Sequence, residues 1–155
     1  QLISNRSYND YAGNGGLSGG GGLAGWGDGK RGGVIVRGGA TPSIRFKDIT
    51  DGTSSTICVG EKWSAQSEYL IPTCSDNEGW SSGYDWDIIR WGNNPPRKDV
   101  KNNNGCKREF GSVHAGGATF VFCDGSVKMI SYLVNPTAFQ RVSQRDDGEN
   151  VDLQD

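Results

Sequence analysis

The clearest hydrophobic pattern in the chain lies in the stretch FGSVHAGGATFVFCDGSVKMIS, residues 110–131. Two runs rich in β-branched and other apolar residues, 119–123 and 126–132, flank the dipeptide Asp124-Gly125. An Asp-Gly pair between two such runs predicts a two-residue type I′ turn, because both central residues of that turn need positive φ. Residues 110–134 are therefore predicted to form an antiparallel hairpin.

The predicted turn also sets the register of this hairpin. Phe122 is expected opposite Val127 and Phe120 opposite Met129, which gives one apolar face. The other face is expected to carry Thr119, Val121, Cys123, Ser126, Lys128 and Ile130. A sheet that is covered on one side only is typical of antiparallel architectures.

Further elements are short. Residues 56–59 are β-branched and apolar and predict a buried strand with Glu61 at its end, and residues 34–36 predict another short strand. Residues 135–145 predict a helix, since Asn135 can cap it and Pro136 suits its first position.

Two long regions lack such patterns. Residues 1–33 form a glycine-rich loop region, and residues 64–109 form a loop insertion rich in Trp, Asp and Asn. The 25 glycines have no collagen period and indicate many turns around a modest core. We predict one domain over residues 1–155 of mainly β (α+β) class. It comprises an antiparallel sheet, long Gly-rich and Trp-rich loops and a short C-terminal helix.

Charge and hydropathy exclude some classes of function. The net charge is −2 without a basic stripe, which argues against nucleic-acid binding. No apolar run approaches the roughly 20 residues that span a bilayer. The chain opens with polar QLISNRSYND rather than a signal peptide, so we expect a mature or trimmed form whose membrane anchor, if it has one, lies upstream.

The four cysteines predict disulfide chemistry rather than zinc. No two of them have the C-x-x-C spacing, which disfavours a four-cysteine zinc site. Cys74 and Cys106 bracket the polar insertion and are predicted to form a disulfide. Cys58 and Cys123 lie in apolar runs, and the sequence leaves open whether they pair or remain small buried thiols. A disulfide favours an exported, oxidising location.

His114 is the only histidine and therefore the first candidate for catalysis. No G-x-S-x-G elbow is present, and the closeness of Ser112 in sequence is no evidence of a hydrogen bond to the ring, so we expect no nucleophilic enzyme. The favoured interpretation is that the ring ties the HAGG loop to backbone carbonyls. The alternative is a charged pair with Glu61 or an Asp.

Asp48 and Asp51 are the calcium candidates, because the segment DITDGTSS offers two carboxylates and several hydroxyls within one turn. The favoured interpretation is that these side chains bond their own backbone, with Gly52 free to take positive φ. We therefore expect no cofactor, with calcium as the one alternative.

The insertion also presents a possible ligand surface. Trp80, Tyr84, Trp86 and Trp91 alternate with charged residues, a composition suited to binding sugars. The favoured interpretation is a small satellite core under a long loop closed by a disulfide.

These motifs together resemble the bacterial prepilin-type "H-X9-DG" family. Its defining His and Asp-Gly correspond to His114 and Asp124-Gly125. RFKDITDGTSSTICVGE is similar to the central signature of that family, with Asp48, Asp51, Gly52 and Glu61. SSGYDWDIIRWGNNPP and FQRVSQRDDGENV are similar to its later segments, so the resemblance spans residues 34–152.

The resemblance implies a pseudopilin-like head that is exported to the cell surface and has no established catalysis. Family members begin with a prepilin leader and a long apolar helix, which this sequence does not contain. The expected partners are other surface or pseudopilus-like proteins, including copies of the chain itself. Membrane attachment is expected only through an upstream helix. The alternative function is an extracellular carbohydrate- or solute-binding module that uses the Trp-rich insertion.

Overall fold

The structure is a computed structural model, which describes residues 9–18, 32–39, 42–74, 76–77, 79–81, 83–102, 105–149, 151 and 153. The strands are β1 (Tyr11–Asn14), β2 (Ile57–Glu61), β3 (Ile89–Arg90), β4 (Arg97–Lys98), β5 (Gly111–Ser112), β6 (Gly117–Phe122) and β7 (Val127–Ser131), and the helix is α1 (Pro136–Val142). Short 3-10 turns lie at Phe46–Asp48 and Gln66–Glu68. The predicted mainly β class with one short C-terminal helix is confirmed.

The main sheet has five strands in the order β3-β1-β2-β6-β7, and β4 and β5 form a second, two-stranded sheet. The pairs β1–β2, β2–β6 and β6–β7 are antiparallel, whereas β1–β3 and β4–β5 are parallel. The main sheet is therefore mixed rather than purely antiparallel. The long chain between β1 and β3 allows this, since parallel strands need an extended connection.

Strand β1 lies within residues 1–33, which the sequence predicts as loop. Its sequence, YAGN, has no strand pattern, and it forms because β2 pairs with it along three residues. Gly13 is required there, since a Cβ would lie 2.7 Å from the side chain of Ile35. Conversely, the predicted strand 34–36 does not form. Ile35 donates one hydrogen bond to the Asn14 carbonyl instead. Residues 1–8 and 19–31 of the predicted loop lie outside the described residues.

The predicted hairpin is present, but its turn is one residue longer than expected. Phe122 N donates to the Ser126 carbonyl and Gly125 N donates to the Phe122 carbonyl, which defines a three-residue loop. Gly125 has a φ of 85°, and no described non-glycine residue has positive φ. The turn is thus a type I turn closed by a glycine bulge, not the predicted type I′.

The longer turn shifts the predicted register by one residue. Val127 pairs with Val121 and Met129 pairs with Thr119, so neither faces a phenylalanine. Both Val127 and Met129 are consequently exposed, and Ile130 is buried instead. A one-residue slip moves every side chain of a strand to the opposite face.

The inner face of the sheet packs on α1 through a phenylalanine core. We use this name for Phe110, Phe120, Phe122 and Phe139, all of which are buried. The rings of Phe110, Phe120 and Phe139 meet edge to face at centroid distances of 5.3–6.4 Å. The helix begins after Asn135, whose side chain accepts from the backbone N–H groups of Thr137 and Ala138, as predicted.

A second, smaller core lies in the insertion. We call it the tryptophan core, and it comprises Trp86, Ile89 and Trp91 with Ile35, Tyr84 and Ile88 packed against it. Its neighbours along the chain include the buried charged residues Asp87 and Arg90. The disulfide between Cys74 and Cys106 is present, as predicted, with Cα atoms 5.2 Å apart. Among the described residues, no helix is long and apolar enough to cross a bilayer.

Candidate functional site beside His114

His114 is paired with the carboxylate of Glu61. Its Nε2 lies 3.1 Å from Glu61 Oε1, and about half of the His114 side chain is exposed. The predicted bonds from the ring to backbone carbonyls are therefore corrected to a side-chain pair, which the sequence offered as the alternative. The two residues are 53 positions apart, so only the fold brings them together.

Glu61 occupies this position because β2 leaves β6 at its end. The ladder between the two strands ends at Gly60 and Phe120, and Lys62, the residue after Glu61, bridges to Phe110 instead. The other oxygen of Glu61, Oε2, accepts the Thr119 N–H at 2.6 Å, where a backbone carbonyl would have continued the ladder. Glu61 thus accepts the Thr119 N–H of β6 with one oxygen and orients His114 with the other.

The loop around His114 is held by two hydroxyl groups that sequence reasoning missed. Ser112 Oγ accepts the His114 N–H at 3.1 Å and donates to the Gly117 carbonyl at 2.9 Å. The Tyr132 hydroxyl lies 2.8 Å from the His114 carbonyl and 3.0 Å from that of Ser112. The Ser112 contacts are local, with residues two and five positions further along the chain, whereas those of Tyr132 depend on the return of β7 beside the loop.

His114 and Asp124 lie at opposite ends of β6. The six residues of that strand separate them by roughly 17 Å at ~3.3 Å per residue. Asp124 Oδ1 accepts the Ser126 N–H at 2.9 Å and the Ser126 hydroxyl at 2.7 Å, and these bonds lower the pKa of Asp124. The fixed spacing of His and Asp-Gly therefore reflects the length of one strand and its turn, and the two side chains cannot act on one atom.

A polar cleft of about 480 Å³ opens beside the His114–Glu61 pair. Its lining includes five carboxylates, two tyrosines and two serines: Asp10, Glu61, Glu68, Asp76, Asp99, Tyr11, Tyr69, Ser64 and Ser112. The rings of Tyr11 and Tyr69 are each about half exposed. Flat rings beside hydrogen-bonding oxygens are groups that can contact a polar organic solute.

Asp99 and Tyr69 form one wall of this cleft. The Tyr69 hydroxyl donates to Asp99 Oδ2 at 2.6 Å, and Ser64 N donates to Asp99 Oδ1 at 2.9 Å. Burial raises the pKa of Asp99, although these two hydrogen bonds act to lower it. Burial and the neighbouring carboxylate likewise raise the pKa of Tyr69, so its hydroxyl remains a donor at neutral pH.

The cleft also contains Lys62, whose side chain is nearly fully buried. Its Nζ lies 2.9 Å from Asp76 Oδ1 and donates to the Asp87 carbonyl at 3.1 Å. Burial lowers the pKa of Lys62, while Asp76 partly offsets that effect. Lys62 therefore connects β2 to the insertion.

Asp48 and Asp51 each have protein partners of their own. Asp48 Oδ2 accepts from the backbone and the side chain of Arg45, which lowers the pKa of Asp48. Asp51 accepts the N–H groups of Asp147 and Gly148 at 2.8 and 3.0 Å, and Gly52 has the expected positive φ. Within the described ranges, no group of three or more His, Cys, Asp or Glu residues is arranged to hold a metal ion.

The aromatic ligand surface, which the sequence offered as the alternative to a satellite core, is not assembled. Trp86 and Trp91 are buried in the tryptophan core, with Tyr84 packed against them, and only Trp80 is well exposed. The four rings therefore do not share one surface, because the indole rings of a long loop are buried more favourably than they are exposed. The satellite core is the arrangement that forms.

The remaining two cysteines, Cys58 and Cys123, are free thiols, each half-buried. They lie on the outer side of the β2–β6 pair, away from the phenylalanine core.

Comparison with known proteins gives one result. The chain matches the model of a family described as a protein of unknown function, DUF1559 (SBP_bac_10), over residues 3–137. No curated protein and no solved structure matches it. The matched region contains β1 to β7, the His114–Glu61 pair and the Asp124-Gly125 turn. Since the match covers well over half of the chain, the protein belongs to this family.

Proposed function

We propose that this chain is a noncatalytic, exported head domain that takes part in a surface or pseudopilus-like assembly. The family match includes the His-X9-Asp-Gly segment by which the chain resembles prepilin-type proteins. The Cys74–Cys106 disulfide is consistent with export to an oxidising compartment. The polar groups of the signature, Glu61, His114 and Asp124, bond to other parts of the chain in ways that support the sheet and its turn.

The observation that carries the assembly role is the exposed apolar strip on strand β7. It comprises Val127, Met129 and, just beyond the strand, Leu133, which are 63%, 61% and 93% exposed. β7 is the last strand of the described main sheet, so one of its edges has no partner strand there. The only charged residue of β7, Lys128, lies on the inner face, where its Nζ donates to the Ser54 carbonyl and sits over the Phe122 ring.

This arrangement leaves the outer face of an edge strand both apolar and uncharged. Natural edge strands usually avoid pairing by carrying charges, bulges or covers. β7 carries one such charge, Lys128, and its Nζ is held on the Ser54 carbonyl. A second copy that pairs along β7 would satisfy the free backbone groups of the edge and place its own side chains beside Val127 and Met129. The assembly partner we propose is therefore another copy of this chain.

The test is the association state of the full chain across a range of concentrations, measured by sedimentation velocity. We expect a concentration-dependent oligomer that is lost in the double variant Val127→Lys and Met129→Lys. Leu70→Lys is the control, since Leu70 is 91% exposed and lies outside the strip. A wild-type chain that stays monomeric at every concentration, or equal losses in both variants, would contradict assembly through β7.

Export is tested separately in the cells that make the protein. Rapid acid quenching followed by thiol alkylation should show Cys74 and Cys106 as a disulfide before lysis. A fully reduced pair in freshly quenched cells would contradict export.

A second candidate function is binding of a polar solute or saccharide, and the polar cleft favours it rather than the tryptophans. Exposed Tyr11 and Tyr69 lie there beside Asp99 and the His114–Glu61 pair. A glycan array followed by titration calorimetry tests this candidate. Tyr11→Ala should abolish any binding in the cleft while Trp80→Ala leaves it unchanged. Loss of binding in Trp80→Ala, with binding unchanged in Tyr11→Ala, would instead place the site at Trp80, the one exposed tryptophan of the insertion.

A further inference from the structure

Cys58 and Cys123 are neighbours across the β2–β6 pair. Ile57 and Phe122 are paired and both point into the core, so the residues that follow them, Cys58 and Cys123, lie on the outer face. They follow in opposite directions along antiparallel strands and are diagonal neighbours on that face. Both line the same cavity, and each thiol alters the pKa of the other.

The backbone is anchored at Cys123 and irregular at Cys58. Cys123 N donates to the Thr56 carbonyl at 2.9 Å, which anchors Cys123 at the end of β6. Strand β2 is irregular between Ile57 and Val59, so Cys58 lies in a bulge. A bulged residue has no ladder partner to lose when its backbone adjusts. Such freedom matters because a disulfide needs Cα atoms within about 7 Å.

The two thiols open onto an apolar cavity of about 330 Å³. Its walls include Val34, Ile35, Ile44, Phe46 and Ile49. Phe46 is 76% exposed, so the cavity has an open rim. A pocket of this size and character suits a small apolar or aromatic group.

The two thiols are also chemically different. The hydrogen bond from Cys123 lowers the pKa of Cys58 from 9.0 to about 7. That same bond, together with burial, raises the pKa of Cys123. Cys58 lies in the bulge of β2, whereas Cys123 is anchored by its N–H on the Thr56 carbonyl. Together with the opposite pKa shifts, this favours Cys58 as the attacking thiolate and Cys123 as the thiol that resolves the mixed disulfide.

We infer that the Cys58–Cys123 pair is a thiol–disulfide exchange site that reduces small organic disulfides with an apolar or aromatic substituent. The Cys58 thiolate attacks one sulfur of R–S–S–R, forms Cys58–S–S–R and releases RS⁻. Cys123 then gives its proton to RS⁻, and its sulfur attacks the Cys58 sulfur and displaces the second RS⁻, which takes up a proton from water. Two protein thiols are oxidised to one disulfide, and one small disulfide is reduced to two thiols.

Formation of the mixed disulfide on Cys58 favours the subsequent attack by Cys123. Cys123 holds its proton tightly because it donates to the Cys58 thiolate. Once Cys58 is in the mixed disulfide, that acceptor is gone and Cys123 ionises more readily.

The experiment uses the full chain with the Cys74–Cys106 disulfide intact and 4,4′-dithiodipyridine as the probe, at one equivalent per chain. We expect the wild type to release two equivalents of thiopyridone. Its mass should fall by two hydrogen atoms, with peptide mapping that shows a Cys58–Cys123 bond. Cys123→Ser should release one equivalent and keep one pyridyl group on Cys58. A wild-type chain that releases one equivalent and keeps its pyridyl adduct without a Cys58–Cys123 bond, or no reaction in a folded chain, would overturn the proposal.

Matched variants separate the roles of the two thiols. Cys123→Ser retains a hydroxyl that can donate to Cys58, whereas Cys123→Ala does not. Cys58 in Cys123→Ala should react about fivefold more slowly at pH 7, since the loss of thiolate is partly offset by its higher nucleophilicity. Cys58→Ser should react more slowly than either. Equal rates in Cys58→Ser and Cys123→Ser would contradict the assignment of Cys58 as the attacking thiol. Circular dichroism of each variant confirms that it is folded.

Discussion

The phenylalanine core and the tryptophan core both bury aromatic rings, but they differ in what surrounds those rings. The phenylalanine core lies among apolar neighbours from β2, β6, β7 and α1, such as Ile57, Ala118, Ile130 and Val142. The tryptophan core lies beside the buried Arg90 and Asp87, and Lys62 reaches the Asp87 carbonyl from β2. Burial lowers the pKa of Arg90 to about 10, which reflects how little water reaches its guanidinium.

The difference teaches how each region is stabilised. Burial of apolar area alone can account for the phenylalanine core, because its residues alternate along strands whose register is fixed by hydrogen bonds. The insertion contains too few apolar residues for that. It depends also on the Cys74–Cys106 disulfide and on buried ion pairs, including Lys107 with Glu68 at 2.8 Å. Loss of the insertion removes the edge strand β3 but should leave the rest of the main sheet largely folded.

The largest expected effect comes from Phe120→Ala, which removes a fully buried ring from the phenylalanine core. We expect a loss of about 4 kcal/mol in the free energy of unfolding, because the cavity cannot be refilled by neighbouring side chains. Urea titration followed by circular dichroism measures it. Phe46→Ala is the matched control, since that ring is mostly exposed and its loss should change stability by less than about 0.5 kcal/mol. Similar losses in both variants would contradict the location of the core.

The next effect is that of the disulfide, tested by replacing both Cys74 and Cys106 with serine. Opening a loop closed across 32 residues should cost about 3.7 kcal/mol through the entropy of the unfolded chain. If the two cores are independent, hydrogen exchange should accelerate at Ile89 and Trp91 and stay slow at Phe120. Acceleration that is uniform across both cores would show that they unfold as one unit.

The same contrast explains how much of the molecule could be predicted from its sequence. Within the signature segment, apolar alternation and the Asp-Gly pair predicted the strands and a turn, and Asn135 and Pro136 predicted the start of α1 correctly. The register was wrong because the turn has three residues, and the two turn types share the same Gly signal at their end. Cys74 and Cys106 were paired correctly because they bracket a polar loop.

The positions of the other strands and of the site's side chains depend on contacts between distant parts of the chain. β1 forms only because β2 offers it an edge, so its own sequence carries no strand pattern. The His114–Glu61 pair depends on the point at which β2 leaves β6, and no local spacing encodes that point. The favoured interpretation of Trp86 and Trp91, a satellite core, is the one that forms, but the alternation of charged residues did not predict that Asp87 and Arg90 would be buried with the rings.

An intermediate effect is expected for Lys62→Met, which removes the buried cation that joins β2 to the insertion. At pH 7 we expect a loss of about 2 kcal/mol, since Asp76 and the Asp87 carbonyl lose a charged donor. The effect should depend on pH. The folded-state pKa of Lys62 lies below 10.5, so between that pKa and 10.5 the unfolded chain binds more protons at this residue.

Wild-type stability should therefore rise relative to Lys62→Met as the pH increases through that window. Urea titrations of both proteins from pH 7 to pH 10 measure this difference, and titrations of each protein at two salt concentrations are the control for screened surface charges. A difference that stays constant or shrinks with pH would show that burial does not govern the charge of Lys62.

The smallest effects distinguish the two members of the His114–Glu61 pair. Glu61→Ala should cost about 1–2 kcal/mol, because the Thr119 N–H loses its acceptor at the end of the β2–β6 ladder. Glu61→Gln retains an oxygen acceptor and should cost less. His114→Ala should change the unfolding free energy by less than about 0.5 kcal/mol, since the ring is half exposed and an exposed ion pair contributes little. Thermal and urea unfolding of the three variants measure this order. A His114→Ala loss equal to that of Glu61→Ala would show that the ring itself supports the sheet, whereas the predicted order leaves that role to Glu61 and leaves His114 as an exposed group at the rim of the cleft.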